Sequence, residues 1–158
     1  STGSTTRCYT LDLTHGGFLL TQDSFAIPEF SKDFAVNMAN YRYWSAVVQQ
    51  QFDDIMHAED TYQGSSIRWN AAMVGDVHRV ISKGGTFIYP GDSRPGIENG
   101  KIRLLYEANP LAMLIENAGG IALSRNQRIL DIQPHELHQR VPVVMGSMVP
   151  TDKLSLQM

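Results

Sequence analysis

The chain has 158 residues, 42% of them hydrophobic and 18% charged, with a formal net charge of −3. That suits one compact domain with a buried core, without the basic footprint of a nucleic-acid binder or an apolar run long enough to span a bilayer. Cys8 is the only cysteine, which excludes an internal disulfide framework and a Cys-based zinc site and fits a reducing, cytoplasmic location.

The polar run Ser1 to Thr6 reads as linker, and with Ser rather than Met in first place a piece of a longer protein is the expectation. Arg7 to Leu13 and Phe18 to Thr21 are β-prone runs around Thr14-His15-Gly16-Gly17, a hairpin signal. Cys8, inside the first run, reads as a small buried hydrophobe. Phe34 to Asn37 is a short strand. Trp44 to Met56 carries Val47, Val48, Phe52, Ile55 and Met56 at helical spacing. Thr61 to Ser66 is a loop. Ala71 to Ser82 has a helical stripe of Ala72, Met73, Val77, Val80 and Ile81, and Gly84-Gly85 stops it. On that helix Asp76 and His78, which share it with Arg79 and could form a solvated face, read as structural residues. Thr86 to Tyr89 is a strand ended by Pro90, and Gly91 to Gly100 a loop.

Ile102 begins a short buried strand, and Pro110 to Ala118 a helix stopped by Gly119-Gly120. Ile121 to Leu123, Ile129 to Ile132 and Val141 to Met145 read as strands, with a turn near His135. Strands interleaved with helices predict an α/β fold, a mixed β-sheet flanked by helices. No internal repeat and no Gly-rich nucleotide fingerprint is present.

The run from Gly100 to Pro110 holds the densest chemistry. Lys101, Arg103, Tyr106 and Glu107 fall within seven residues. Asn109 suits a helix cap and Pro110 the first helical position. Glu107 then sits where a strand meets a helix N-terminus, a location that favours phosphate. Lys101 offers a point charge for phosphate, and Glu107 a hard oxygen for Mg²⁺. Taken alone, the run is better read as a surface strand in which Glu107 pairs with Arg103 or Lys101.

Several runs together resemble class I fructose-1,6-bisphosphatases. They are Ala71-Ala72-Met73-Val74-Gly75-Asp76-Val77-His78-Arg79, Gly84-Gly85-Thr86-Phe87-Ile88-Tyr89-Pro90, the Gly100 to Pro110 run, Glu116-Asn117-Ala118-Gly119-Gly120, Leu130-Asp131-Ile132-Gln133-Pro134, His138-Gln139-Arg140 and Gly146-Ser147. Their order and approximate spacing are that family's, and they cover almost the whole chain. The stretch Cys8-Tyr9-Thr10-Leu11-Asp12 resembles the opening of the enzyme's C-terminal half, so residues 1–158 are expected to be that half alone.

The resemblance implies hydrolysis of the 1-phosphate of fructose 1,6-bisphosphate, with Mg²⁺ as cofactor, in a homo-oligomer. It implies that Asn37 binds phosphate, that Tyr89 and Lys101 hold the 6-phosphate and the sugar, and that Met73 lines the sugar site. Glu107 would be the one metal-ligand carboxylate of this half. Arg68 would reach a neighbouring subunit's site.

Trp69 stands where many members have a phosphate-contacting Tyr, Asn40 where another is common, and Ala71-Ala72 where Gly-Ser or Ala-Ser is frequent. The Asp-Pro-Leu-Asp-Gly-Ser loop that supplies the family's main metal ligands is not in these residues. A sedoheptulose 1,7-bisphosphatase and a non-catalytic sugar-phosphate-binding relative remain alternatives. Without the joint match, Lys101 and Arg68 are surface cations, and Tyr89 and Trp69 core aromatics with a polar handle. His135 and His138 have no third metal ligand near them in sequence and read as loop residues.

Overall fold

The computed structural model describes residues 3–57, 64–148, 151 and 154. In chain order its strands and α-helices are β1 (Cys8–Asp12), β2 (Gly17–Gln22), β3 (Asp33–Val36), α1 (Ala46–His57), β4 (Ser66–Ile67), α2 (Met73–Lys83), β5 (Thr86–Tyr89), β6 (Ile102–Arg103), α3 (Asn109–Asn117), β7 (Ile121–Ser124), β8 (Gln127–Arg128), β9 (Arg140–Val141) and β10 (Val143–Gly146). The main sheet runs β4–β3–β5–β10–β7–β8. β3 pairs in parallel with both β4 and β5, while β10 pairs antiparallel with β5 and β7. This is the mixed sheet flanked by helices that the alternating pattern predicts.

The chain leaves β3 through α1 to β4, then passes back over β3 through α2 to β5. Such crossovers share one hand, so two in opposite directions put their helices on opposite faces. Side-chain alternation matches. Phe34, Val36, Ile88 and Val144 pack with Trp44, Val48, Phe52 and Ile55 on the α1 face. Ala35, Phe87, Val143 and Met145 take the other face, against Val77, Val80 and Ile81 of α2 and Ala112 and Ile115 of α3. Both faces are covered, which is why these strands read as continuous apolar runs.

Local chemistry sets the helix limits. The Ser45 hydroxyl accepts the Val48 N–H at 3.3 Å and caps α1. Val48, Phe52 and Ile55 form the buried stripe of α1; Val47 and Met56, expected on it, are exposed. α2 ends at Gly84, whose φ of +76° favours glycine. At Gly85 a Cβ would lie 2.6 Å from the Asp33 carbonyl oxygen, so only glycine lets β5 start beside β3.

Four expectations are corrected. Ile129 to Ile132 is not a strand: a 3₁₀ turn, Ile129–Asp131, drops Ile129 into the core while Asp131 pairs with Arg128 at 3.0 Å. Val141 to Met145 is two strands in different sheets, because Pro142 has no N–H to continue a ladder. Asp76 is structural, as read, but buried rather than on a solvated face: its Oδ1 accepts the Asn70 N–H at 2.9 Å and closes the loop before α2. Cys8 is half-buried rather than core. The expected hairpin is β1–β2, a ribbon outside the main sheet that exposes Leu13 and Phe18. Of the expected 61–66 loop, residues 61–63 lie outside the described residues. No helix of the described residues is long and apolar enough to cross a membrane.

Candidate functional site

Three neighbouring parallel strands end at one edge of the sheet, and each delivers a side chain there. Asn37 follows β3, Trp69 lies just past β4, and Tyr89 is the last residue of β5. The chain reverses direction across the sheet between β3 and β5, and the crevice at such a reversal is where open α/β sheets hold ligands. A cleft of about 280 Å³ opens there, lined by Asn37, Trp69, Ala71, Met73, Phe87 and Tyr89 on one side and Lys101, Ile102, Arg103 and Glu107 on the other.

The walls are fixed by packing. Trp69 stacks on Phe87 with centroids 6.1 Å apart and lies 6.4 Å from Tyr89. Asn37 caps the 3₁₀ turn Met38–Tyr43, its Oδ1 accepting the Ala39 N–H at 3.1 Å. Ala71 has a φ of +59°, a left-handed conformation rare for a residue with a Cβ, and leads into Met73 at the start of α2.

Lys101 arrives from the loop 91–100. That loop is tied down by buried Asp92, which accepts the Arg94 Nε at 3.0 Å. The Arg94 guanidinium holds the Asp92 carboxyl below the usual aspartate range and lies 4.6 Å over the Tyr43 ring. Gly100, at φ +84°, passes so close to Val141 that a Cβ would sit 2.4 Å from its carbonyl oxygen.

The strand-to-helix junction differs from expectation. After β6 the chain makes a π-helical turn, Leu104–Ala108, that runs directly into α3. Asn109 is therefore helical, with φ −59° and ψ −51°, and does not cap α3 with its side chain. Pro110 does fall in the first turn of α3. The free helical end moves back to Arg103. Glu107 reaches back to it: Oε2 accepts the Arg103 N–H at 2.7 Å and Oε1 accepts Nη1 at 3.2 Å. With Lys101 and Arg103 against one carboxylate, the formal charge of the cleft favours an anion.

Six of the seven residues singled out from sequence thus line one cleft: Asn37, Trp69, Met73, Tyr89, Lys101 and Glu107. Arg68 is exposed and outside its lining, and its N–H donates to Phe34 O at 2.7 Å. Asn40 is the buried residue of the 3₁₀ turn and outside the lining too. Sequence reasoning assigned no site role to Arg103, although its position two residues after Lys101 was a usable signal. Phe87 and Ala71 gave no polar signal at all.

The donors of the cleft do not build a magnesium centre. No group of three His, Cys, Asp or Glu side chains close enough to hold a metal exists among the described residues. Glu107, the one carboxylate in the lining, already accepts two bonds from Arg103. His138, read as a loop residue, is in a loop with its Nδ1 2.8 Å from the Tyr106 hydroxyl.

Fold and cleft define an α/β domain with a candidate ligand cleft beyond the carboxyl ends of parallel strands. Residues 27–157 match the fructose-1-6-bisphosphatase C-terminal domain, and the chain belongs to that family. It is 63% identical over 152 residues to a class 1 fructose-1,6-bisphosphatase of Pseudoalteromonas translucida, covering 96% of this chain and 47% of the relative. It is 56% identical to the class 1 enzyme of Cellvibrio japonicus, covering 93% and 46%. The crystal structure of Leishmania major fructose-1,6-bisphosphatase in holo form superposes with a TM-score of 0.91 at 39% identity, over 98% of this chain and 47% of that one. The chain spans about half the length of the curated relatives it matches.

Proposed function

We propose that the chain is the sugar-phosphate-binding half of a fructose-1,6-bisphosphatase, a phosphoric monoester hydrolase that converts fructose 1,6-bisphosphate to fructose 6-phosphate and phosphate. The observation that supports this most is the convergence of Asn37, Trp69 and Tyr89, from three parallel strand ends, on a cleft that also holds Lys101 and Arg103. In this reading Lys101, the Tyr89 hydroxyl and Asn37 take the 6-phosphate. Met73 and the stacked Trp69 form the apolar side of the sugar pocket, and Arg103 keeps Glu107 aimed at the cleft. Phosphate is held by charge-assisted bonds, the strongest such a cleft offers.

Hydrolysis is assigned to the complete enzyme. Glu107 would contribute one carboxylate to a Mg²⁺ site whose other ligands lie outside the described residues. Arg68, exposed beside the cleft's aromatic wall, fits a role across a subunit interface in a homo-oligomer. Isothermal calorimetry with fructose 6-phosphate tests the reading. Saturable binding that Lys101→Ala weakens is the expected result, and binding indifferent to Lys101→Ala overturns it.

A further inference from the structure

We propose a second anion site, between Arg125 and Arg140, that takes a phosphate group. It goes beyond the function proposed above and shares no lining residue with the Lys101 cleft. β7 and β8 are joined by the two-residue turn Arg125-Asn126, with Ser124 paired to Gln127. Arg125 has a φ of +55°, a conformation that a two-residue hairpin turn usually gives to glycine. A large side chain is held there against local preference, and such strain concentrates at ligand clamps.

What Arg125 supplies is a guanidinium without a counter-charge. Its Nη2 donates to Asn99 Oδ1 at 3.1 Å. Arg140 approaches the same loop from the other side, its Nη1 donating to Gly96 O at 3.3 Å. Neither has a carboxylate within ion-pair distance among the described residues. By contrast Arg7, Arg79, Arg94, Arg103 and Arg128 are each paired with one.

Arg125 and Arg140 line a cleft of about 410 Å³ with Ser124, Gln127, His135 and Gln139 among its polar residues and no carboxylate in its lining. Glu98 and Glu136 line the adjoining pocket, which Arg140 also borders, and Glu98 shares a further cleft with Arg125, but neither carboxylate is ion-paired to either guanidinium. Two guanidinium forks without a carboxylate partner, over a cleft with no carboxylate in its lining, suit the tetrahedral oxygens of phosphate, which Arg binds through two bonds at once.

The test uses protein carrying Lys101→Ala, so that the first cleft is silenced. Inorganic phosphate is titrated at constant ionic strength, and binding is read from the Arg Nε–H resonances and from Tm. The expected result is saturable binding with a shift at Arg125 and a rise in Tm. Arg125→Gly should raise Tm in the absence of phosphate by relieving the turn, yet weaken phosphate binding by roughly tenfold or more, the loss of one charge-assisted bond. Arg140→Gln should weaken it comparably. A parallel titration with glycerol 3-phosphate separates a site for the free ion, which it would not enter, from one for a phosphate carried by a metabolite. Phosphate binding that both substitutions leave unchanged, or no saturable binding in the Lys101→Ala protein, overturns the site without touching the first cleft.

Discussion

Glu107 and Arg103 are joined twice, once through the Arg103 backbone N–H at 2.7 Å and once through its guanidinium at 3.2 Å. The first bond satisfies an amide at the free end of the helical segment, which otherwise has no intrahelical partner. Glu107→Ala should cost about 1–2 kcal/mol, comparable to losing a helix cap. Glu107→Gln keeps an acceptor for that amide and should cost less than half as much. Urea denaturation of the two variants gives both numbers. Equal losses would show that the carboxylate's charge, not its capping bond, holds the turn.

Ala71 sits in the cleft wall at φ +59°. Ala71→Gly removes a conformational penalty of about 1 kcal/mol, partly offset by the greater freedom of glycine in the unfolded chain. A net gain of a few tenths to 1 kcal/mol is expected, or roughly 1–4 °C in Tm for a chain of this size. Calorimetry that finds a lower Tm would show that the Cβ packs better than its backbone strain costs.

Lys101 and Arg68 should separate in a single binding experiment with fructose 6-phosphate. Lys101 lines the cleft, and losing its charge-assisted bond should weaken binding by about 1.5–3 kcal/mol, or roughly 10- to 150-fold. Arg68 lies outside the lining. At concentrations where sedimentation shows monomers, Arg68→Ala should leave affinity within about twofold, given how little an exposed charge outside the site contributes. Strong loss in a monomeric Arg68→Ala protein would place the residue in its own chain's site.

Asp92 gives the loop before Lys101 a dependence on pH. Hydrogen bonding to Arg94 outweighs burial and depresses its carboxyl. A depressed folded-state value means that the stabilisation is complete above the ordinary aspartate range, near pH 4. It is lost as pH falls through the depressed value. The stability difference between the parent protein and Asp92→Asn should be largest above about pH 5 and shrink toward pH 2. A difference that stays flat across that window would mean the carboxylate is not the ionised partner of Arg94.

Residues that obey one local rule were legible in sequence. The α2 stripe, apart from Ala72, which is exposed and precedes the helix, and its Gly84 stop, β5 and the β1–β2 hairpin each follow from periodicity or turn chemistry within a few residues. The cleft residues were legible only by resemblance, because nothing local distinguishes Lys101 or Tyr89 from a surface cation and a core aromatic. What brings them into one cleft is the parallel arrangement of β3, β4 and β5, which carries residues 37, 69 and 89 to one edge. Asn109 misled because a side chain able to cap was followed by a helix that had already begun. The π turn before it depends on Leu104 and Ala108 being pulled into the core, where both are fully buried. Ile129 misled for a related reason: one deeply buried residue anchors a turn, and its apolar neighbours only imitate a strand.

Pro142 lies between two pairings. Val141 before it pairs with Ile102, on the strand that Lys101 precedes and Arg103 ends, and Val143 after it pairs with Tyr89. One imino acid is therefore the spacer between the cationic wall of the cleft and its aromatic wall. The aperture between those walls is set from behind, by a residue that lines neither. Selection for a wider or narrower cleft would find its adjustment screw at this step in the backbone, with every side chain of the lining left as it is.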